Sequence, residues 1–145
     1  EHRLAAGIAQ GAIWSVPERW GDNDESFGLA MHIKWVMGED TMEEALETSK
    51  AFALEGHLDH MQCPLLVLHG GHDVLTVSAA TQVHDYASSK GVNSTLRLLQ
   101  PDETGAEHCQ HDNPTIGQEI MNDWLADIFG IDQAALLKTG WSPLT

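Results

Sequence analysis

Hydrophobic positions fall into blocks whose length and spacing predict alternating strands and helices. Residues 4–14 (LAAGIAQGAIW) are apolar or small and carry no charge, which favours a buried strand, although periodicity alone leaves a helix open. Residues 65–69 (LLVLH) form a second unbroken apolar run, and residues 95–99 (TLRLL) predict a third strand that ends before Pro101. Such continuous runs are expected where helices cover both faces of a parallel sheet.

Helical spacing appears between the first and second of these runs. Apolar residues recur at helical intervals over residues 27–38, and Gly38 is predicted to end this helix. Thr41 is followed three residues later by Glu44, which is the pattern of a capping box. A second helix is therefore predicted from Thr41 through about Ala53.

The order of all elements predicts an α/β fold. Helices predicted over residues 78–90 and 114–129 follow the second and third strands, as in a parallel sheet with right-handed crossovers. The helical pair within residues 27–53 interrupts this alternation, so we expect it to form a lid outside the sheet. The last helix carries an apolar stripe for burial against the sheet: Ile116, Ile120, Trp124, Leu125 and Ile128.

Four parts follow from this interpretation: a core strand in residues 1–14, a helical lid in 15–60, the main α/β core in 61–130 and a C-terminal tail in 131–145. Three parallel strands alone would leave a long apolar edge unpaired. Because the chain also opens on Glu1 and not on Met, we expect it to be incomplete or processed.

Charge and composition exclude several function classes. The chain has 22 Asp and Glu residues against 7 Lys and Arg, for a formal net charge of −15. So few scattered cations cannot neutralise a nucleic-acid backbone or an anionic membrane surface. No apolar run approaches the roughly 20 residues of a membrane-spanning helix, and no secretory signal is apparent. With 2 cysteines and no disulfide framework, a cytoplasmic location is expected.

Two candidate catalytic residues follow the carboxyl ends of neighbouring strands. Asp73 comes after the second strand, and His108 lies in the polar loop 102–112 after the third. Ligands bind at this edge of open parallel sheets, and adjacent strands would bring the two loops together. An acid that orients an imidazole is half of a nucleophilic triad. The alternative is a turn residue at Asp73 and a solvated His108.

Sequence motifs around these residues resemble a known family. The segments CPLLVLHGGHD, GAEHCQHDNP and NDWLADIFG are similar to the C-terminal third of α/β-hydrolases, in which the acid also precedes the histidine. Residues 32–73 more narrowly resemble the fungal yellowish-green pigment hydrolases, which shorten polyketides, and the related bacterial dihydroxypseudooxynicotine hydrolases. The resemblance covers residues 4–130 and implies the C-terminal portion of an α/β-hydrolase sheet with a helical lid.

The resemblance also implies a site and a reaction. Asp73 and His108 would be the acid and base of the triad. The substrate pocket would be lined by Trp14, Trp20 and Trp35, although these tryptophans could instead pack in the hydrophobic core. The implied reaction is hydrolysis of a carbon–carbon or ester bond in a polyketide or aromatic ketone, with acyl transfer as an alternative. No metal or organic cofactor is implied.

The family nucleophile is a serine in a G-x-S-x-G turn, and no serine of this chain has flanking glycines. We therefore expect the nucleophile upstream, on the N-terminal half of the same enzyme. That half and a small-molecule substrate are the expected partners, whereas a homodimer stays open. The missing serine equally allows a catalytically incomplete binding module.

A metal site is not predicted, although the chain has 9 histidines. Their spacing matches neither H-E-x-x-H nor a zinc finger. Three histidine pairs are spaced three residues apart: His57/His60, His69/His72 and His108/His111.

Cys109 is not predicted to be a nucleophile, because sequence neighbours such as Cys109 and His108 rarely have the geometry of a nucleophile and its base.

Overall fold

Three parallel strands form the centre of the molecule. The computed structural model describes residues 3–20, 28–73 and 77–139. The strands lie side by side in chain order, with Gly7 opposite Leu65 and Leu65 opposite Ser94. This arrangement confirms the predicted parallel α/β fold. The strands are β1 (Gly7–Gln10), β2 (Leu65–Gly70) and β3 (Ser94–Leu99).

Six α-helices flank the sheet or lie between its strands in the described part of the chain. The insertion between β1 and β2 contains the first three, and α3 contacts both α1 and α2. None of the described helices is long and apolar enough to cross a membrane. The helices are α1 (Val16–Trp20), α2 (Gly28–Met37), α3 (Met42–Ser49), α4 (Val77–Ser89), α5 (Pro114–Phe129) and α6 (Gln133–Thr139).

The sequence predicted the end of α2 and the start of α3 correctly, but not the end of α3. Gly38 follows α2 with φ of +75°, as a terminating glycine should. The capping box is present, because Glu44 N donates to Thr41 Oγ1 at 3.2 Å and Thr41 N donates to Glu44 Oε2 at 3.2 Å. The prediction that α3 extends to Ala53 was wrong, because the chain turns into another pairing after Ser49. The predicted start of α2 at Phe27 lies outside the described residues.

β1 is shorter than the strand predicted over residues 4–14. It spans four residues and ends at Gln10, directly before Gly11, whose φ is +68°. The Gly11 N–H still donates to Leu68 O of β2 at 3.1 Å. Beyond Gly11 the apolar residues belong to the base of the insertion and not to the sheet.

The two ends of the insertion pair with each other at this base. The Val16 N–H donates to Phe52 O at 3.1 Å, and the Leu54 N–H donates to Trp14 O at 3.0 Å. This antiparallel contact closes the insertion where it leaves and rejoins the sheet. It explains both corrections above, because the same backbone groups cannot also continue β1 or α3. The assignment of residues 15–60 as a lid stays a prediction.

Tyr86 of α4 anchors the returning segment. Its hydroxyl donates to Asp59 Oδ1 at 2.6 Å and accepts the Gly56 N–H at 3.0 Å. Lys90 Nζ lies 3.1 Å from Asp59 Oδ2, and the Trp14 ring meets the Tyr86 ring edge to face at 4.9 Å between centroids. The insertion is therefore fixed to the helix that covers the sheet.

Both faces of β2 are covered, as its continuous apolar run predicts. Leu65 and Val67 pack against α4, whereas Leu66 and Leu68 pack on the opposite face with Leu99. Full burial of a leucine side chain stabilises a fold by about 1.5–3 kcal/mol. The predicted stripe of α5 is half-buried in this second cluster through Ile116, Ile120 and Trp124, and Met121 joins them.

Candidate active site

A tight turn after β2 presents Asp73. A Cβ on Gly70 would lie 2.2 Å from Ala106 O and 2.4 Å from Glu107 O, so only glycine allows the loop after β3 to approach this closely. The His72 N–H donates to Ala106 O at 2.9 Å, and the Asp73 N–H donates to Gly70 O at 3.1 Å. The loops that follow β2 and β3 are thus joined through their backbones.

His108 begins a short 3₁₀ turn, His108–Gln110, in the loop after β3. Cys109 and Gln110 have φ of +50° and +56°, a left-handed conformation that costs a non-glycine residue about 1–3 kcal/mol. Gln10 at the end of β1 supports this turn: its Nε2 donates to Cys109 O at 3.1 Å and to Gln110 Oε1 at 2.8 Å. Strained backbone that is hydrogen-bonded to the end of β1 therefore follows His108 directly.

Asp112 closes the same loop from the other side. Its carboxylate accepts the N–H groups of Ala106 at 3.2 Å and Glu107 at 3.1 Å. Desolvation opposes ionisation of Asp112, but these backbone hydrogen bonds outweigh it and lower the pKa of the carboxyl. The segment that contacts Gly70 is therefore fixed by its own side chain as well as by the sheet.

The carboxylate of Asp73 and the imidazole of His108 meet at this edge. His108 Nδ1 lies 2.6 Å from Asp73 Oδ2. Asp73 is 2% exposed, whereas the His108 side chain is 55% exposed. A carboxylate that accepts the Nδ1–H fixes the tautomer and leaves Nε2 to act as the base. The predicted meeting of the two loops is confirmed, while their catalytic role belongs to the proposal below.

Cys109 comes close to the other ring nitrogen. Its Sγ lies 3.4 Å from His108 Nε2, so the expectation that sequence neighbours would not approach in this way was wrong. Burial raises the pKa of the Cys109 thiol, and the charge of Asp73 acts in the same direction. A thiol with a raised pKa is a poor nucleophile at neutral pH.

His69 is a third member of the site, and the sequence analysis considered it only as part of a histidine pair. Its side chain is 0% exposed and its Nε2 lies 3.3 Å from Asp73 Oδ2. Burial lowers the pKa of the His69 imidazole, although the Asp73 charge opposes this effect. A polar residue inside the apolar run of β2 was the signal that could have identified it.

His69 and His72 do not form a shared metal site. His72 Nδ1 lies 3.5 Å from Glu107 Oε1, so the two imidazoles face different carboxylates. Across residues 3–20, 28–73 and 77–139, no group of three or more His, Cys, Asp or Glu side chains is arranged to hold a metal ion.

Comparison with known proteins identifies the family. No family model matches the chain. The 2,6-dihydropseudooxynicotine hydrolase of Paenarthrobacter nicotinovorans is 31% identical over 145 residues, which cover 97% of this chain and 36% of that relative. The chain belongs to the α/β-hydrolase family. It spans about a third of the relative's length, and its parallel sheet is consistent with the C-terminal part of an α/β-hydrolase. The narrower likeness to fungal pigment hydrolases is not shown.

An apolar cavity of about 450 Å³ lies at the base of the insertion of this α/β-hydrolase chain. Gly11, which precedes the cavity wall in sequence, approaches the site: a Cβ there would lie 3.6 Å from His108 Cε1. Ile13 of the cavity wall follows two residues later, a reach of at most about 7 Å. The cavity is lined by Ile13, Trp14, Val16, Ala51, Phe52, Ala53, Leu54 and His57.

The three tryptophans predicted to line a substrate pocket have different positions. Trp14 is buried and contributes to the cavity wall. Trp35 on α2 is 82% exposed and is not among the lining residues. The side chain of Trp20 lies outside the described part of the hydrolase chain. Of the two whose side chains are described, Trp14 lies at this cavity and Trp35 does not, and a role in substrate binding stays a prediction.

An ion pair at the base of the His108 loop predicts a specific dependence of stability on pH. Glu103 pairs with the Arg97 guanidinium and accepts the Gln100 N–H at 3.0 Å, and these contacts lower the Glu103 pKa from 4.5 to about 2. Because the folded pKa is depressed, the stabilisation is complete above pH 4.5 and is lost as the pH falls towards 2. As the pH falls through this window, we expect the free energy of unfolding to decrease less in Glu103→Gln than in the wild type.

Urea unfolding from pH 6 down to pH 2 measures this difference. Glu119→Gln, at an exposed position of α5, is the matched control and should keep the wild-type slope. The same pH slope in wild type and Glu103→Gln would contradict the prediction.

Proposed function

We propose that this chain supplies the acid and base of a serine hydrolase whose nucleophile lies outside these 145 residues. The observation that carries the proposal is the 2.6 Å contact between the buried Asp73 carboxylate and His108 Nδ1. The relative that matches the chain is named as a hydrolase, which supports the same activity here. Among the described residues no hydroxyl is hydrogen-bonded to His108.

Each step of the proposed reaction uses the two nitrogens of His108 differently. The serine hydroxyl attacks a carbonyl carbon and His108 Nε2 accepts its proton, while Asp73 stabilises the imidazolium through Nδ1–H. His108 then returns the proton to the leaving group, which is an alkoxide from an ester or an enolate when a carbon–carbon bond breaks. Water, deprotonated by His108 in the same way, releases the acyl group from the serine.

The cavity at the base of the insertion supports an apolar substrate. Its wall contains the rings of Trp14 and Phe52 and aliphatic side chains, which favour an uncharged aromatic or polyketide-like group. The formal net charge of −15 also disfavours an anionic substrate. We propose an aromatic ketone or ester whose reacting carbonyl lies at His108 and whose apolar part fills this cavity.

Labelling with a fluorophosphonate tests the proposed function. The full-length protein that contains this chain is incubated with the probe, and its mass is measured under denaturing conditions. We expect one covalent adduct on a serine, formed more slowly in His108→Ala because the hydroxyl is then not deprotonated. Heat-unfolded protein is the control and should not react. A native protein that carries no adduct would overturn the proposal in favour of a binding module.

A further inference from the structure

Gln10 joins the end of β1 to the turn that carries His108. Its backbone is paired in register with β2, and the following N–H group, of Gly11, donates to a carbonyl of that strand at 3.1 Å. Its side chain reaches the loop after β3, where Nε2 donates to Cys109 O at 3.1 Å and to Gln110 Oε1 at 2.8 Å. The residue directly after the proposed base is therefore tied to a strand 99 residues away in sequence.

The chemistry of the acceptors determines the orientation of both amides. A backbone carbonyl such as that of Cys109 can only accept, so Gln10 must present its N–H₂ group there. The second hydrogen of the same nitrogen donates to Gln110, whose side-chain oxygen must then face it. Gln110 is 0% exposed, and a Cβ on Gly117 of α5 would lie 3.3 Å from that oxygen. Both donors of one exposed amide thus hold atoms of the loop that carries His108.

The backbone on this side of His108 is strained. Cys109 and Gln110 have φ of +50° and +56°, and such a conformation persists only where surrounding contacts hold it. On the other side of His108, the His72 N–H donates to Ala106 O at 2.9 Å and ties the loop to the turn after β2. His108 therefore lies between two points at which its loop is fixed to a neighbouring element.

We propose that Gln10 is a positioning residue for the base: its two hydrogen bonds hold the strained turn and thereby keep the His108 imidazole beside Asp73. Gly11 completes the contact, because a Cβ there would lie 2.8 Å from Cys109 Sγ and 3.6 Å from His108 Cε1. Gln10 acts through the backbone of the turn and takes no part in proton transfer. The kinetic part of the inference rests on the proposed function, whereas the hydrogen bonds do not.

Two substitutions of similar size separate the hydrogen bonds from space filling. Methionine keeps the length of glutamine but cannot donate, and an ionised glutamate turns an acceptor towards the Cys109 carbonyl. We expect Gln10→Met to lower kcat of the full-length protein for a p-nitrophenyl ester by about 10-fold with KM unchanged, because the base is held less often in its productive position. Gln10→Glu should lower kcat further. Gln118→Met, the same change at an exposed position of α5, is the matched control and should keep the wild-type kcat.

Amide hydrogen exchange tests the same contact without requiring activity. Exchange of a peptide that spans residues 106–111 is measured by mass spectrometry in the full-length proteins, with the β2 peptide as the internal reference. We expect the loop to exchange about 10-fold faster in Gln10→Met than in wild type and Gln118→Met, with equal exchange of β2. Unchanged loop exchange in Gln10→Met, or faster exchange with an unchanged kcat, would overturn the inference. Absent fluorophosphonate labelling of the wild type together with the faster loop exchange would instead count against the proposed function alone.

Discussion

Replacement of His108 by alanine is expected to lower kcat/KM of the full-length protein for a p-nitrophenyl ester by about 10⁴-fold or more. His108 is the only imidazole in the described part of the chain that both contacts the Asp73 carboxylate and is largely exposed to an approaching substrate. Without it, no group accepts the proton of the nucleophile. Because its side chain is 55% exposed, the fold should tolerate the change.

Steady-state hydrolysis and thermal unfolding of the same samples measure both expectations. His60→Ala is the matched control, because His60 is exposed and lies in the short 3₁₀ turn before β2, outside the candidate site. It should retain wild-type activity. A His108→Ala protein that is folded and still hydrolyses the ester at more than about a tenth of the wild-type rate would contradict the assigned role.

Gly70→Ala is expected to lower the free energy of unfolding by about 3 kcal/mol, the largest stability effect we expect from a single methyl group. The new Cβ would lie 2.2 Å from Ala106 O and 2.4 Å from Glu107 O. These are backbone atoms, and the His72 N–H bond to Ala106 O holds them in place. The clash must therefore separate the turn that carries Asp73 from the loop that carries His108, so activity should fall as well.

Gly7→Ala is the matched control in the same sheet. There the nearest atom to a new Cβ is Met61 Cε at 2.8 Å, the mobile end of a flexible side chain. We expect Gly7→Ala to change the free energy of unfolding by less than about 1 kcal/mol. Urea unfolding of the full-length protein measures both variants, and soluble yield compares them if Gly70→Ala does not fold. Equal unfolding midpoints in the two variants would contradict the prediction.

Sequence alone determined the elements whose signals are local. The helix predicted over residues 114–129 is α5 with the same bounds, because a periodic apolar stripe and Pro114 at its start are contained in the segment itself. The unbroken run 65–69 likewise predicted the central strand. The meeting of Asp73 and His108 was also predictable, since the ends of adjacent parallel strands share one edge.

Contacts distant in sequence decided the rest. The strand predicted over residues 4–14 ends at Gln10, because the residues beyond it pair with residues 52–54. The strained turn at Cys109 depends on hydrogen bonds from Gln10, 99 residues away. The position of His69 against Asp73 depends on the turn after β2 and on burial of both side chains. A sequence specifies which groups can donate, accept or pack, but only the folded chain decides which of them meet, because burial and distance depend on every element packed around them.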